Sequence, residues 1–209
     1  MKSLNVSFLL ILFVFLTSNC VTIFSEFQSA DTLGKGNTEI TPAASIVNFS
    51  NDGESDHIQT NMGVQVGYGV SEVTDLRFRF EAPSYGDDLS TFGEIFAVGF
   101  GPKIQLIEDK VAAYMPLGFA FGEDIETSET FEIHPSVLMT FPINETTELN
   151  PSMKLIMPFD DRDAALALNL GVGFWNDNIG LRPEIGIMKS LEEGDGTFVH
   201  FGVGLSIRK

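Results

Sequence analysis

The chain has 209 residues, 12 Lys plus Arg against 29 Asp plus Glu, and a formal net charge of −17. A chain this acidic lacks the basic footprint that a phosphate-binding surface needs, which excludes nucleic acid as a partner. A single cysteine, Cys20, excludes an intrachain disulfide, so burial and hydrogen bonding must hold the fold together.

In chain order, Lys2 precedes an apolar run over residues 8–16. That run is too short to cross a bilayer as a helix and is built like the core of an export signal. Thr17, Ser18, Asn19 and Cys20 follow it. A sole cysteine directly after a signal core resembles the bacterial lipobox. The resemblance implies a signal peptide over residues 1–19 and Cys20 as the lipidated first residue of the mature chain. An ordinary signal cleaved near Ala30 is the other reading. Residues 20–37 carry Ser, Gly, Gln and Asp without a sustained period. They read as a tether or a plug-like segment ahead of the first strand.

From residue 38 onward the sequence alternates. Between His57 and Val70, Ile58, Met62, Val64, Val66, Tyr68 and Val70 share one parity, while His57, Gln59, Asn61, Gly63, Gln65, Gly67 and Gly69 share the other. Period-2 alternation marks a β-strand, because successive side chains leave opposite faces of the pleat. The pattern predicts strands over residues 38–49, 57–70, 74–83, 92–106, 111–121, 130–143, 147–158, 164–174, 178–188 and 197–208. Each is long enough to cross a membrane at a tilt. The expected fold is all-β: an antiparallel up-and-down transmembrane β-barrel over residues 38–209, with eight to ten strands and ten favoured. Pro116, Pro135, Pro142, Pro151, Pro158 and Pro183 lie within or near these strands and must mark bulges or strand ends, which keeps eight open. One set of connections is longer and acidic: residues 51–56, 84–88, 122–126, 160–163 and 191–196. The other is short: residues 71–74, 108–110, 144–147 and 176–178. Long outside loops and short periplasmic turns are the habit of outer-membrane barrels.

Alternation leaves sidedness open, since a soluble ligand-carrying barrel also alternates, with its apolar face inward. Volume favours lipid outside. One parity holds bulky residues such as Phe78, Phe80, Phe100, Phe119, Leu168, Leu170, Leu181 and Phe201. The other holds Gly63, Gly67, Gly99, Gly101, Gly171, Gly186, Gly202 and Gly204. So many large side chains would overfill a ten-strand lumen. The small parity also collects Arg77, Arg79, Lys103, Lys154 and Arg182 beside Glu39, Glu81, Glu132, Glu148 and Glu184. Charges withdrawn from water need partners, so the expectation is a lumen crossed by salt bridges and plugged or very narrow.

Three places could carry chemistry. His134 and Ser136, two apart on one face with Glu132, resemble the His-x-Ser arrangement of outer-membrane lipid A deacylase barrels, which implies a histidine-activated serine attacking an ester. Asp87, Asp88 and residues 160–163 resemble the loop-edge carboxylates of the omptin proteases, with His57 as the only rim histidine. Acidic loops such as Asp52, Glu54 and Asp56, or Glu123, Asp124 and Glu126, suit divalent cations bridging to lipopolysaccharide phosphates. No zinc pattern, P-loop or dinucleotide fingerprint occurs, so no cofactor and no dedicated metal site are expected.

On this pattern the chain resembles the small bacterial outer-membrane β-barrel proteins. The resemblance implies an outer-membrane location with loops outside, the N-terminus periplasmic, membrane lipid around the wall and an unidentified protein partner. The expected role is non-enzymatic: structural, interaction-mediating or a narrow pore. A lipid-anchored or periplasmic barrel carrying a small apolar ligand, and a lipid hydrolase using His134 and Ser136, are the alternatives.

Overall fold

A computed structural model describes residues 25–86, 92–192 and 196–209. The signal region, Cys20, Asp87 and Asp88 lie outside the described residues. Strand elements, in chain order, are β1 (Thr38–Asn51), β2 (Glu54–Ser71), β3 (Thr74–Tyr85), β4 (Ile95–Ile107), β5 (Val111–Tyr114), β6 (Leu117–Gly122), β7 (Glu132–Ile133), β8 (Ser136–Met139), β9 (Phe141–Asn144), β10 (Thr147–Pro158), β11 (Ala165–Asn176), β12 (Ile179–Ser190) and β13 (Thr197–Arg208).

Every pairing between these strands is antiparallel and joins neighbours in the wall, and β13 returns to β1 with the register Glu39↔Arg208 through Ser50↔Thr197. Closure leaves no free edge, as a membrane-embedded sheet requires. The thirteen elements make ten wall strands, because β5 and β6 are one broken strand and β7, β8 and β9 another. Both partners of this pair, β4 and β10, run through unbroken. The breaks fall at Met115–Pro116 and His134–Pro135, side by side: Tyr114 pairs Ser136 below them and Leu117 pairs Ile133 above. Proline has no N–H for the ladder, and the interruption is partly repaired by the His134 amide donating to the Pro116 carbonyl at 2.9 Å. The two continuous strands expected over residues 111–121 and 130–143 are therefore kinked, while the count of ten holds. Pro151 and Pro183 are accommodated inside unbroken strands.

The two ends of the barrel differ. One end has short turns, at Glu72 and Val73, residues 108–110, Glu145 and Thr146, and Asp177 and Asn178. The other carries, among the described residues, 86, 92–94, 123–131, 159–164, 191–192 and 196. One expected long loop is absent: β1 and β2 run to Asn51 and Glu54 and meet in a two-residue turn. Asp52 and Gly53 both have positive φ, 49° and 84°. That is the hairpin geometry that Asp-Gly favours, because its twist matches the strands.

Sidedness follows the volume argument. In β12, Gly180, Arg182, Glu184, Gly186 and Met188 are buried while Ile179, Leu181, Ile185 and Ile187 are exposed. Phe100 is 50% exposed and Leu170 45%, whereas Lys103 is 0% exposed. Large apolar side chains clothe the outside, as in a barrel solvated by lipid. Toward the loop end Phe80, Phe96, Phe121, Phe119 and Phe131 form a chain of ring contacts with centroids 5.3–6.3 Å apart. Ile58 departs from its expected side. The register slips between Val47 and Asn48, leaving Ile58 as the extra residue of a bulge. Ile58 thereby packs on an interior cluster of Val47, Ile156, Ala167 and Met188 near the loop end.

Candidate functional site

The lumen is the site, and the chain itself occupies it. Residues 25–30 are all buried, although no strand contains them. The segment leaves Thr38 at the short-turn end. Its entry is pinned there by Gly36 N–H donating to Gly69 O (2.8 Å), Gly69 N–H to Asn37 O (2.9 Å) and the Thr32 hydroxyl to Glu72 O (2.7 Å). The approach is too close for side chains: a Cβ on Gly69 would stand 1.8 Å from Gly34 O, and Gly34 and Gly36 adopt φ of +76° and +86°. From this hinge the segment climbs to mid-lumen, where Ser25 meets Arg79.

Wall side chains, not wall backbone, satisfy the segment's main chain. Glu184 accepts the amides of Glu26 (2.7 Å) and Phe27 (2.9 Å), two successive N–H groups converging on one carboxylate. Gln65 donates to Glu26 O at 2.8 Å, and Thr140 Oγ1 accepts the Ala30 amide at 2.8 Å. Asp75 accepts the Leu33 amide at 3.0 Å, and Arg79 donates to the carbonyl and hydroxyl of Ser25. Lys103 donates to the carbonyls of Ser29 (3.3 Å) and Asp31. Two side chains add selectivity. Glu26 pairs with Lys154 at 2.7 Å, with both side chains 2% exposed. Phe27, at φ 49° in the left-handed region that non-glycine residues avoid, lays its ring over Gly202 and Gly204. A Cβ on Gly202 would stand 2.4 Å from Phe27 Cζ. The two glycines of β13 therefore form the shelf that receives an aromatic ring. The space left beside it, lined by Phe27, Gln28, Asn150, Arg182 and Glu184 among others, has no room for a water-sized molecule.

Glu39, Arg77, Arg79, Glu81, Lys103, Glu132, Lys154, Arg182 and Glu184 are all buried. They fall into three tiers. Near the short turns, Glu39 pairs with Arg77 (2.6 Å), Arg208 (2.7 Å) and Arg182 (3.9 Å), and Asp75 with Arg77 (2.8 Å) and Lys103 (3.2 Å). Arg182 also meets Glu148 at 3.6 Å. At mid-lumen Arg79 pairs with Glu81, Lys154 with Glu26, and His200 with Glu184 at 3.0 Å. Toward the loops Glu132 meets His134 at 2.7 Å and Arg162 at 3.7 Å. Removing one member of a buried pair leaves a charge without its partner, at a cost of about 3–5 kcal/mol, so the tiers hold one another in register. Arg208 and Arg182 flank the Trp175 ring at 4.0 and 4.9 Å, which fixes the single tryptophan to the lowest tier.

The network also takes in residues outside those nine. Glu26 lies ahead of the first strand, in a stretch without periodicity. Asp75 lies within an expected strand and bridges Arg77 and Lys103. Arg208 ends the last expected strand, and β13 carries it to Glu39. The one available signal was parity: Asp75 is in step with Arg77.

The His134 and Ser136 pair does not assemble as a nucleophile with its base. Ser136 Oγ donates to the His134 carbonyl at 2.9 Å, while the imidazole Nε2 is engaged by Glu132. Pro135 is the physical cause, because the strand breaks at that point and turns the serine to the backbone. Among the described residues His57 bonds to Thr60 and Asn48. Among the described residues no group of three His, Cys, Asp or Glu side chains is placed to hold a metal ion.

No family model and no curated protein sequence matches the chain. Solved structures do. The barrel is similar to an outer membrane channel from Pseudomonas putida F1, with a TM-score of 0.53, 10% identity, and 86% of this chain and 98% of that one covered. Weaker likenesses are the translocator domain of the autotransporter NalP from Neisseria meningitidis (TM-score 0.48, 9% identity, 85% and 90% covered) and Ail, the attachment invasion locus protein of Yersinia pestis (TM-score 0.39, 14% identity, 84% and 99% covered). At such identities the likeness is one of fold. The class is a closed, antiparallel, ten-strand β-barrel of the transmembrane kind.

Proposed function

We propose that this chain is a non-enzymatic outer-membrane barrel, a narrow conduit closed at rest by its own N-terminal segment. The observation that carries the reading is the burial of residues 25–30 among wall ion pairs, with Glu184, Gln65, Arg79, Lys103 and Lys154 all turned to that segment. A carrier for an apolar ligand needs an apolar interior, and here mid-lumen is lined by ion pairs and occupied by residues 25–30 while the large apolar side chains are mostly outside. A hydrolase needs its serine on its histidine, and the bond that Ser136 Oγ makes goes to the His134 carbonyl instead.

In this reading the short turns and the hinge at Gly34 and Gly36 face the periplasm, and the acidic loops face outward, where divalent cations bridge them to lipopolysaccharide phosphates. Cys20 carries an acyl chain. It stands five positions before Ser25, within ~17 Å of fully extended chain, so an acyl chain in the inner leaflet would draw on the same short segment that the lumen holds.

Cell fractionation with a heat-modifiability gel tests the location. Outer-membrane partitioning and a mobility shift on boiling are expected, and release into the soluble periplasmic fraction without a shift refutes it. Planar-bilayer recording tests the closure: the intact protein is electrically quiet, and large steady channels from the intact protein would overturn it.

A further inference from the structure

The wall treats residues 25–33 as a bound peptide. Seven wall side chains, Glu184, Gln65, Arg79, Lys103, Thr140, Asp75 and Lys154, reach a segment that belongs to no strand, and six of them address its main chain. Main-chain recognition by fixed side chains gives affinity without regard to most of the sequence. Selectivity comes from two adjacent positions, the acid at Lys154 and the ring on the Gly202 and Gly204 shelf. The segment joins the barrel at the short-turn mouth through a turn in which Gly34 and Gly36 both adopt positive φ.

We propose that the lumen is a peptide-binding site for an extended strand with an acidic residue followed by an aromatic one, and that residues 25–33 are its resident ligand, exchangeable at the short-turn mouth. The inference rests on the closed-conduit reading and adds a partner class to it. Binding in cis raises the effective concentration of the resident segment, so a free strand enters only when the segment is loosened. Withdrawal removes two donors from Glu184 and oxygen partners from Arg79, Lys103 and Lys154, and the entering peptide restores the same set.

The test uses the full chain with Glu26→Lys and Phe27→Ala together, in planar bilayers, after heat modifiability shows that the barrel has formed. The probe is a synthetic peptide of the native sequence over residues 25–33, added at either side, with a second peptide bearing the same two substitutions as comparison. The expected result is current in the double variant that the native peptide reduces roughly tenfold more effectively than the substituted one, equivalent to about 1.4 kcal/mol of selectivity. Current that neither peptide affects, or that both block equally, overturns the peptide site and leaves the closed conduit standing. A folded double variant that stays silent overturns both. Phe27→Ala alone serves if the double variant fails to fold, with the same comparison of peptides.

Discussion

Replacing Glu26 by alanine separates the seating of the lumen segment from the stability of the wall. The Glu26 carboxylate lies 2.7 Å from Lys154 and accepts a bond from Gln28 Nε2 at 2.7 Å, both in buried surroundings. Glu26→Ala leaves the Lys154 ammonium in the seated lumen without this acid. Breaking one side of a buried pair costs about 3–5 kcal/mol. The lower end applies, because the lumen around Lys154 is polar and other groups of the wall remain in reach. The loss falls on the seated state, since withdrawal of the segment admits water to Lys154 in either protein. About 3 kcal/mol is close to two decades in the ratio of withdrawn to seated segment, at about 1.4 kcal/mol per tenfold. Hydrogen–deuterium exchange reads this directly. The amides of Glu26 and Phe27 rest on Glu184 and that of Ala30 on Thr140, so their protection should fall by roughly that factor while amides in β12 and β13 keep theirs. Equal protection in the variant and the parent would refute the reasoning, because it would mean that the ion pair does not hold the segment.

Other consequences follow from the same geometry. Gly202→Val puts a side chain where Phe27 Cζ stands 2.4 Å from an ideal Cβ, so it should unseat the segment as Glu26→Ala does, with the barrel still heat-modifiable; a quiet bilayer and unchanged exchange would argue against the glycine shelf. Leu170→Arg on the outer face of β11, 45% exposed, should cost about 2–4 kcal/mol of folding free energy in lipid vesicles, and a stability unchanged in a urea titration would invert the sidedness. Ser136→Ala removes a hydroxyl that bonds only to the His134 carbonyl among its recorded partners, so any esterase activity of the purified protein should persist undiminished; abolition by this change with an intact fold would restore the nucleophile. Arg208→Ala removes a cation 4.0 Å from the only tryptophan and should shift Trp175 fluorescence, a change absent if the ring and guanidinium do not meet.

The part of this structure that is local in sequence was readable from sequence. Alternation placed Leu76, Phe78, Leu168 and Leu170 on one face and Arg77, Arg79, Lys154 and Glu184 on the other, because the two faces of a strand are a property of consecutive residues. Parity also gathered the wall charges in one lumen, and side-chain volume decided which face met lipid. Long-range position was not readable. Ile58 changed side because of a bulge set by its pairing with β1, and a one-residue slip reverses parity for whatever lies beyond it. Pro116 and Pro135 broke two strands at the same height, yet pairing with unbroken β4 and β10 kept the wall continuous, which neither proline could reveal alone. Above all, residues 25–33 have no period, and nothing local says that Glu26 meets Lys154 or that Phe27 rests on Gly202. Their conformation is dictated by side chains on β2, β3, β4, β10 and β12 and by Thr140, which only closure of the barrel brings around them. Composition and periodicity thus specified a membrane barrel with a charged interior, and the tertiary structure alone decided that its lumen is filled by the chain's own N-terminal segment.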